Sequence, residues 1–202
     1  MKEKNLSFGG QTMVAPLKTV VLKRPREAFR SQEAIESQWR GLGYLDPPDL
    51  DRAEEGHRQF VSLIQAAGVN VLYLPESQAT GLDSIYTHDP VLITDRGAVV
   101  LNPGKKARRE EGQAFAAALE DWGVPILGTI EDEAKAEGGD MLWLDSSTLA
   151  VGLSFRTNAA GVKALTALLK PSNISVVSFQ LPYFGGPSQV LHLQSFISMI
   201  DY

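Results

Sequence analysis

One pattern of apolar residues recurs along this chain, and it limits the fold more than any other feature. Each copy reads as strand, strand, helix, strand. In the second copy, Pro90-Val-Leu-Ile-Thr94 and Ala98-Val-Val-Leu101 are strand-forming runs joined by the turn residues Asp95-Arg-Gly97. Phe115, Ala118, Leu119 and Trp122 then fall on one face of a 3.6-residue period, Gly123 stops that helix, and Val124–Ile130 returns as a strand. The third copy pairs Met141–Leu144 with Leu149–Leu153. Asn158 caps a helix bearing Val162, Leu165 and Leu169, Pro171 ends it, and Ile174–Phe179 is the return strand. The first copy has Thr19–Lys23, a polar insertion around Leu45-Asp-Pro-Pro-Asp49, and a helix with its apolar face at Phe60, Leu63, Ile64 and Ala67. Gly68 stops that helix before the return run Val69–Pro75. A fourth copy opens at Val190 and continues as strands through Leu191-His-Leu and Phe196–Ile200.

A unit repeated at roughly 45–55 residues implies blades around a centre or a solenoid. The expectation is an α/β chain of 202 residues forming a single incomplete domain. Its repeats cover about 17–75, 85–130 and 137–181, with a fourth begun at about 190. A half-repeat leaves a strand edge without a partner, so the chain reads as a truncated member of a longer family, or as one that forms a homodimer.

Composition narrows the function. The net charge of −5 argues against a nucleic-acid partner, which needs a clustered basic surface. No apolar run approaches the roughly 20 residues of a membrane helix. The first residues lack the apolar stretch of a secretory signal, so the expected location is cytoplasmic. There is no cysteine, which removes disulfides, thiolate metal sites and a cysteine nucleophile from these residues.

Polar residues stand at matching places in the copies. Asp83 and Asp89 flank the start of the second, Glu137-Gly-Gly-Asp140 precedes the third, and His192 lies in the fourth. Around a common axis they would converge, and crowded carboxylates call for a cation, either a guanidinium or a metal. Each has a plainer reading. An Asp before Pro suits a turn, Glu-Gly-Gly-Asp suits a loop, and a His in an apolar run suits the core. Trp39, Trp122 and Trp143 suit packing, His57 and His88 a rim, and Lys105–Arg109 a solvated helix start. A metal held by His88, Asp89, Glu137 and His192 lacks compact ligand spacing, so neither metal nor cofactor is expected.

Taken together and in order, several motifs are specific. They are Thr87-His-Asp-Pro90, Asn102-Pro-Gly104 with Arg108-Arg109, Glu137-Gly-Gly-Asp140, Val151–Asn158 and Leu191-His-Leu-Gln-Ser195. From about Phe8 onward the chain resembles the dimethylarginine dimethylaminohydrolase branch of the guanidino-group-modifying superfamily, which also holds arginine deiminases and amidinotransferases. The resemblance implies the pentein fold, an α/β propeller of ββαβ units, with about three and a half present. It implies hydrolysis of a substituted guanidinium, such as methylated arginine to citrulline and an amine, through a cysteine thiolate, a histidine and a glutamate.

By that resemblance His192 matches the catalytic histidine and Glu137 its acidic partner. Asp83 and Asp89 match guanidinium-binding aspartates, and Arg108 and Arg156 match arginines that hold the substrate carboxylate. Asp140 joins the substrate-binding set, more as a support for the loop. The chain departs from the pattern at His88, where methylarginine enzymes commonly carry glutamate, and at Gln194, where arginine deiminases carry aspartate. The family's cysteine would follow Tyr202. The expected partner is therefore a small guanidino substrate, on a chain inactive by itself. The alternatives are a non-catalytic guanidinium-binding pseudoenzyme and a relative of arginine deiminases or amidinotransferases.

Overall fold

A computed structural model describes residues 6–183, 185–186 and 191–201, arranged as two compact units. One unit spans Pro16–Thr87; the other joins Met1–Ala15 to His88–Tyr202. No helix among the described residues is long and apolar enough to cross a membrane.

The second unit contains two ββαβ copies. Strands β3 (Val91–Thr94) and β4 (Gly97–Val100) form a hairpin, helix α4 (Glu110–Asp121) crosses over, and β5 (Ile126–Thr129) returns parallel to β4. Strands β6 (Met141–Asp145) and β7 (Thr148–Leu153), helix α5 (Ala159–Leu169) and β8 (Ser175–Gln180) repeat the plan. Each sheet has the antiparallel neighbour first and the parallel neighbour last, in the orders β3-β4-β5 and β6-β7-β8. The tight β3–β4 turn depends on Gly97, whose φ is +146° and where a Cβ would strike the Pro125 carbonyl.

One apolar core joins the two copies. Leu92, Val99 and Leu101 from the first sheet meet Met141, Trp143, Leu149 and Val151 from the second, around Leu165 and Leu169 of α5. Leu127 and Leu168 pack against that core from β5 and α5. Because α5 serves both sheets, the loops that enter β3 and β6 are held in a fixed relation. At about 1.5–3 kcal/mol for each fully buried aliphatic side chain, this cluster dominates the unit's stability.

In the Pro16–Thr87 unit, β1 (Thr19–Leu22) and β2 (Asn70–Tyr73) pair in parallel. The connection holds three helices, α1 (Pro25–Phe29), α2 (Gln32–Leu42) and α3 (Leu50–Ala66). Sequence periodicity found only the last. The first two have clear local causes: Pro25 opens α1, and the Ser31 hydroxyl accepts the Ala34 N–H to cap α2. The apolar face read for α3 differs as well. Phe60 and Leu63 are exposed and Val61 is buried. The core of Ala28, Phe29, Ile35 and Leu82 is reached instead by Leu50 and Ala53, at the helix's N-terminal end.

The fourth copy does not begin as strands. Among residues 191–201 there is none; Leu193–Ser195 is a single 3-10 turn, and Val190 lies outside the described residues. The Leu193 N–H, which a strand would give to a neighbour, goes to the Asp140 carboxylate.

Asn158 ties α5 to the loop entering β6. Its Oδ1 accepts from Gly161 N at 2.8 Å and Lys135 N at 3.0 Å, and its amide donates to the Glu133 carbonyl at 2.7 Å. Asn158→Ala should cost about 2 kcal/mol, the upper range for a lost helix cap. Urea unfolding checks this, and a loss below about 0.5 kcal/mol would refute the dual role.

Candidate functional site

The loop entering β6 sets the site. Glu137 is fully buried, and its N–H donates to the Thr157 hydroxyl at 3.1 Å. Its carboxylate accepts from Gly104 N at 2.9 Å and from Arg156 Nη1 at 3.2 Å. His192 Nε2 lies 3.3 Å from Oε2 of the same group. An ionised carboxylate can be buried only with such partners, because the desolvation cost is otherwise prohibitive. The glycines that follow are obligatory. A Cβ at Gly138 would strike the His88 carbonyl, and one at Gly139 would strike the His192 ring. Their absence of side chains lets this backbone run between Asp89 and His192.

Asp89 stands before β3, with its side chain 15% exposed. Its Oδ1 accepts from Gly139 N at 3.1 Å and its Oδ2 from Arg108 Nη1 at 2.6 Å. Burial alone would raise its pKa. The Arg108 charge and hydrogen bond, helped by His192 and the Gly139 N–H, outweigh that and hold it below the usual carboxylate range. Arg108, in the 3-10 turn before α4, is itself buried. Its Nε lies 3.1 and 3.0 Å from the two oxygens of Glu111, and its Nη2 lies 2.8 Å from Oε2.

The structure therefore brings Asp89, Arg108, Glu137, Arg156 and His192 into one network. Both arginines expected to await a substrate carboxylate are here engaged by the protein's own acids. Asp140, expected among the substrate-binding residues, is fully enclosed. It accepts from the Ser154 hydroxyl at 2.8 Å and from Leu193 N at 3.1 Å, which makes it a brace for the His192 segment. Burial pushes its pKa up, against the hydrogen bonds and the nearby His192. Asp83 belongs to the Pro16–Thr87 unit. There, burial first and then Asp83 and Tyr86 push the Tyr44 hydroxyl well up.

Glu111 escaped the sequence reading. Its signal was available: an acid three residues after Arg108, in the first turn of the helix, is placed to meet that arginine. His88 is exposed, and its side chain is not in the cluster. Asp89, Glu137 and His192 offer ligand atoms within 4.8 Å of one another, a spacing that suits any compact cation. Two guanidinium groups already lie on the carboxylates, however, so much of the charge a metal ion would need is offset. Beside the network a shallow depression is lined by Ser154, Phe155, Arg156, Pro182, Tyr183 and Leu191.

A family model described as arginine deiminase matches residues 83–202. The N(G),N(G)-dimethylarginine dimethylaminohydrolase of Pseudomonas aeruginosa is 28% identical over 159 residues, covering 79% of this chain and 59% of that protein. Its Streptomyces coelicolor counterpart is 31% identical over 118 residues, 58% of this chain and 43% of the other. A crystal structure of the Pseudomonas aeruginosa enzyme, a cysteine-to-serine mutant complexed with citrulline, superposes with a TM-score of 0.70. It has 26% identity, over 89% of this chain and 64% of that one. The fold is thus that of the dimethylarginine dimethylaminohydrolases, and the chain spans less than two thirds of these relatives.

Gly139→Ala should displace the imidazole, because the new methyl group has no room beside His192 Nδ1. The expected result is a large change in the His192 ring NMR signals with the fold retained by circular dichroism; unchanged ring signals would contradict the packing. Asp89 gives a pH signature. Its folded pKa is depressed, so its contribution to stability is present above about pH 4 and is lost as pH falls through the folded value. In Asp89→Asn the loss of stability between about pH 5 and pH 2 should be shallower than in the parent, as measured by urea midpoints. Parallel profiles would show that Asp89 is not held this way.

Proposed function

Because the chain belongs to the arginine deiminase family, we propose that its buried carboxylates receive the guanidinium of a small guanidino compound, as a substituted arginine would offer. One observation supports this above the rest. Asp89 and Glu137 already accept guanidinium N–H groups, from Arg108 and Arg156, with an imidazole alongside. A planar cation with paired donors matches carboxylate geometry far better than a point charge does.

The proposed reaction is hydrolysis of a C–N bond in a methylated arginine, giving citrulline and an amine. A thiolate adds to the guanidinium carbon and His192 protonates the departing amine; the same imidazole then takes a proton from water, whose addition to that carbon breaks the carbon–sulfur bond and releases citrulline and the thiolate. Glu137 holds the imidazole oriented and stabilises its charged form. Asp89 binds the guanidinium, while Arg108 and Arg156 hold the carboxylates of Asp89 and Glu137 in place. No cysteine lies in these 202 residues, so the thiolate comes from outside them. In this reading the residues form the binding and acid–base part of one cytoplasmic catalytic domain. A second reading is a guanidinium-binding protein without turnover.

Calorimetric titration of the chain with L-arginine, N-methylated arginine and citrulline tests the proposal, together with a colorimetric assay for citrulline release. Saturable binding of the cationic amino acids without citrulline release is expected, and Glu137→Gln should weaken that binding about tenfold or more. Absence of binding would overturn the guanidinium site; citrulline production by the cysteine-free chain would overturn the chemistry.

A further inference from the structure

Asp89 is aligned by an arginine, and that arginine is aligned in turn. Arg108 uses Nε and Nη2 on Glu111 and Nη1 on Asp89, so the three side chains form a continuous acid–base–acid line from the first turn of α4 to the loop before β3. Arg108 and Glu111 are each only 4% exposed. The fork of an arginine held on one edge by a carboxylate has its remaining nitrogen fixed in direction. Weakening that hold removes a restraint on the direction in which Nη1 meets Asp89.

From this geometry we infer that Glu111 is a positioning residue for the guanidinium site. Through Arg108 it fixes the orientation of the Asp89 carboxylate. The inference rests on the reading of Asp89 as a guanidinium acceptor, but part of its test needs no ligand. The charge pattern has a purpose beyond geometry. The pair Arg108–Asp89 alone is neutral and would attract a cation weakly. With Glu111 ionised the line carries one net negative charge, which leaves Asp89 free to attract a second guanidinium in a poorly screened site.

Geometry and simple proximity predict opposite outcomes. If Glu111 were only a nearby charge, Glu111→Gln would leave Arg108 in place with its positive charge less shared, and Asp89 would titrate lower. If Glu111 positions Arg108, the same variant loosens the Arg108–Asp89 contact and Asp89 titrates higher. Among the described residues the other groups facing Asp89 are the Gly139 N–H, His192 and Glu137; they are common to parent and variant, so the difference between the two reads Glu111.

Carbon-13 NMR titration of the chain reads this directly, with the Asp89 signal assigned by its loss in Asp89→Asn. We expect the Asp89 midpoint to rise by about half a pH unit or more in Glu111→Gln. In Glu111→Asp, which keeps the charge but withdraws it by one methylene, it should also rise, and this variant decides the matter if the first does not fold. Calorimetry adds a functional readout: L-arginine affinity should fall about tenfold in Glu111→Gln while affinity for neutral citrulline changes less than about threefold. A midpoint that is unchanged or lowered in the folded variants would overturn the positioning role. Loss of all guanidino binding in the parent chain would instead overturn the function proposed above, with the titration still deciding the role of Glu111.

Discussion

The structure of the site turns on one unfavourable act, the complete burial of Glu137. An isolated ionised carboxylate in such a place would be unsustainable, and removing one partner from a buried pair typically costs about 3–5 kcal/mol. The fold meets that demand with a backbone N–H, a guanidinium and an imidazole, each from a different part of the chain: Gly104, Arg156 and His192. Satisfying Glu137 therefore forces the loop after β4, the turn after β7 and the segment after β8 to meet. The network is a structural necessity before it is a chemical opportunity.

The same logic extends outward. Asp89 is matched by Arg108 and Gly139, Arg108 by Glu111, and Asp140 by Ser154 and Leu193. Counted by residue, three acids, Asp89, Glu111 and Glu137, stand against Arg108 and Arg156, while burial pushes the pKa of Asp140 up. Asp89 and Glu137 each meet their arginine through a single nitrogen, Nη1, whereas Glu111 holds Arg108 through two.

Much of this was legible in the residues, and the illegible parts have physical reasons. The ββαβ copies at 91–129 and 141–180 follow from alternating strands, a 3.6-residue helix face and the Asn158 cap, because local preference and burial agree there. Around α1 and α2 the signal was present but short: Ile35, Trp39 and Leu42 share one face of the Gln32–Leu42 helix and meet the local core, with Pro25 and the Ser31 cap marking the approach. Phe60 and Leu63 carry the right spacing yet stay exposed, since periodicity states which residues share a face and not which face is covered. In the site, Glu137, Asp89 and His192 were found through their matching places in the repeats and the motifs that surround them. The internal pairing of both arginines was not, because a sequence shows charges without showing which of them meet. The run Leu191-His-Leu has the composition of a strand, but a buried aspartate claims the N–H that a strand would need.

That last contact gives the imidazole an unusual mooring. The strands and helices around it are stitched by ladders of backbone bonds, whereas residues 191–201 have no such ladder among the described residues. They are anchored through the Leu193 N–H on Asp140, the Gln194 amide on the Met141 carbonyl, and the buried Leu193 side chain. His192 adds its own approaches, 3.3 Å to Glu137 and 3.9 Å to Asp140. The imidazole is thus moored by side chains, where its neighbours are moored by backbone ladders, and a change to any one of these side chains reaches it directly.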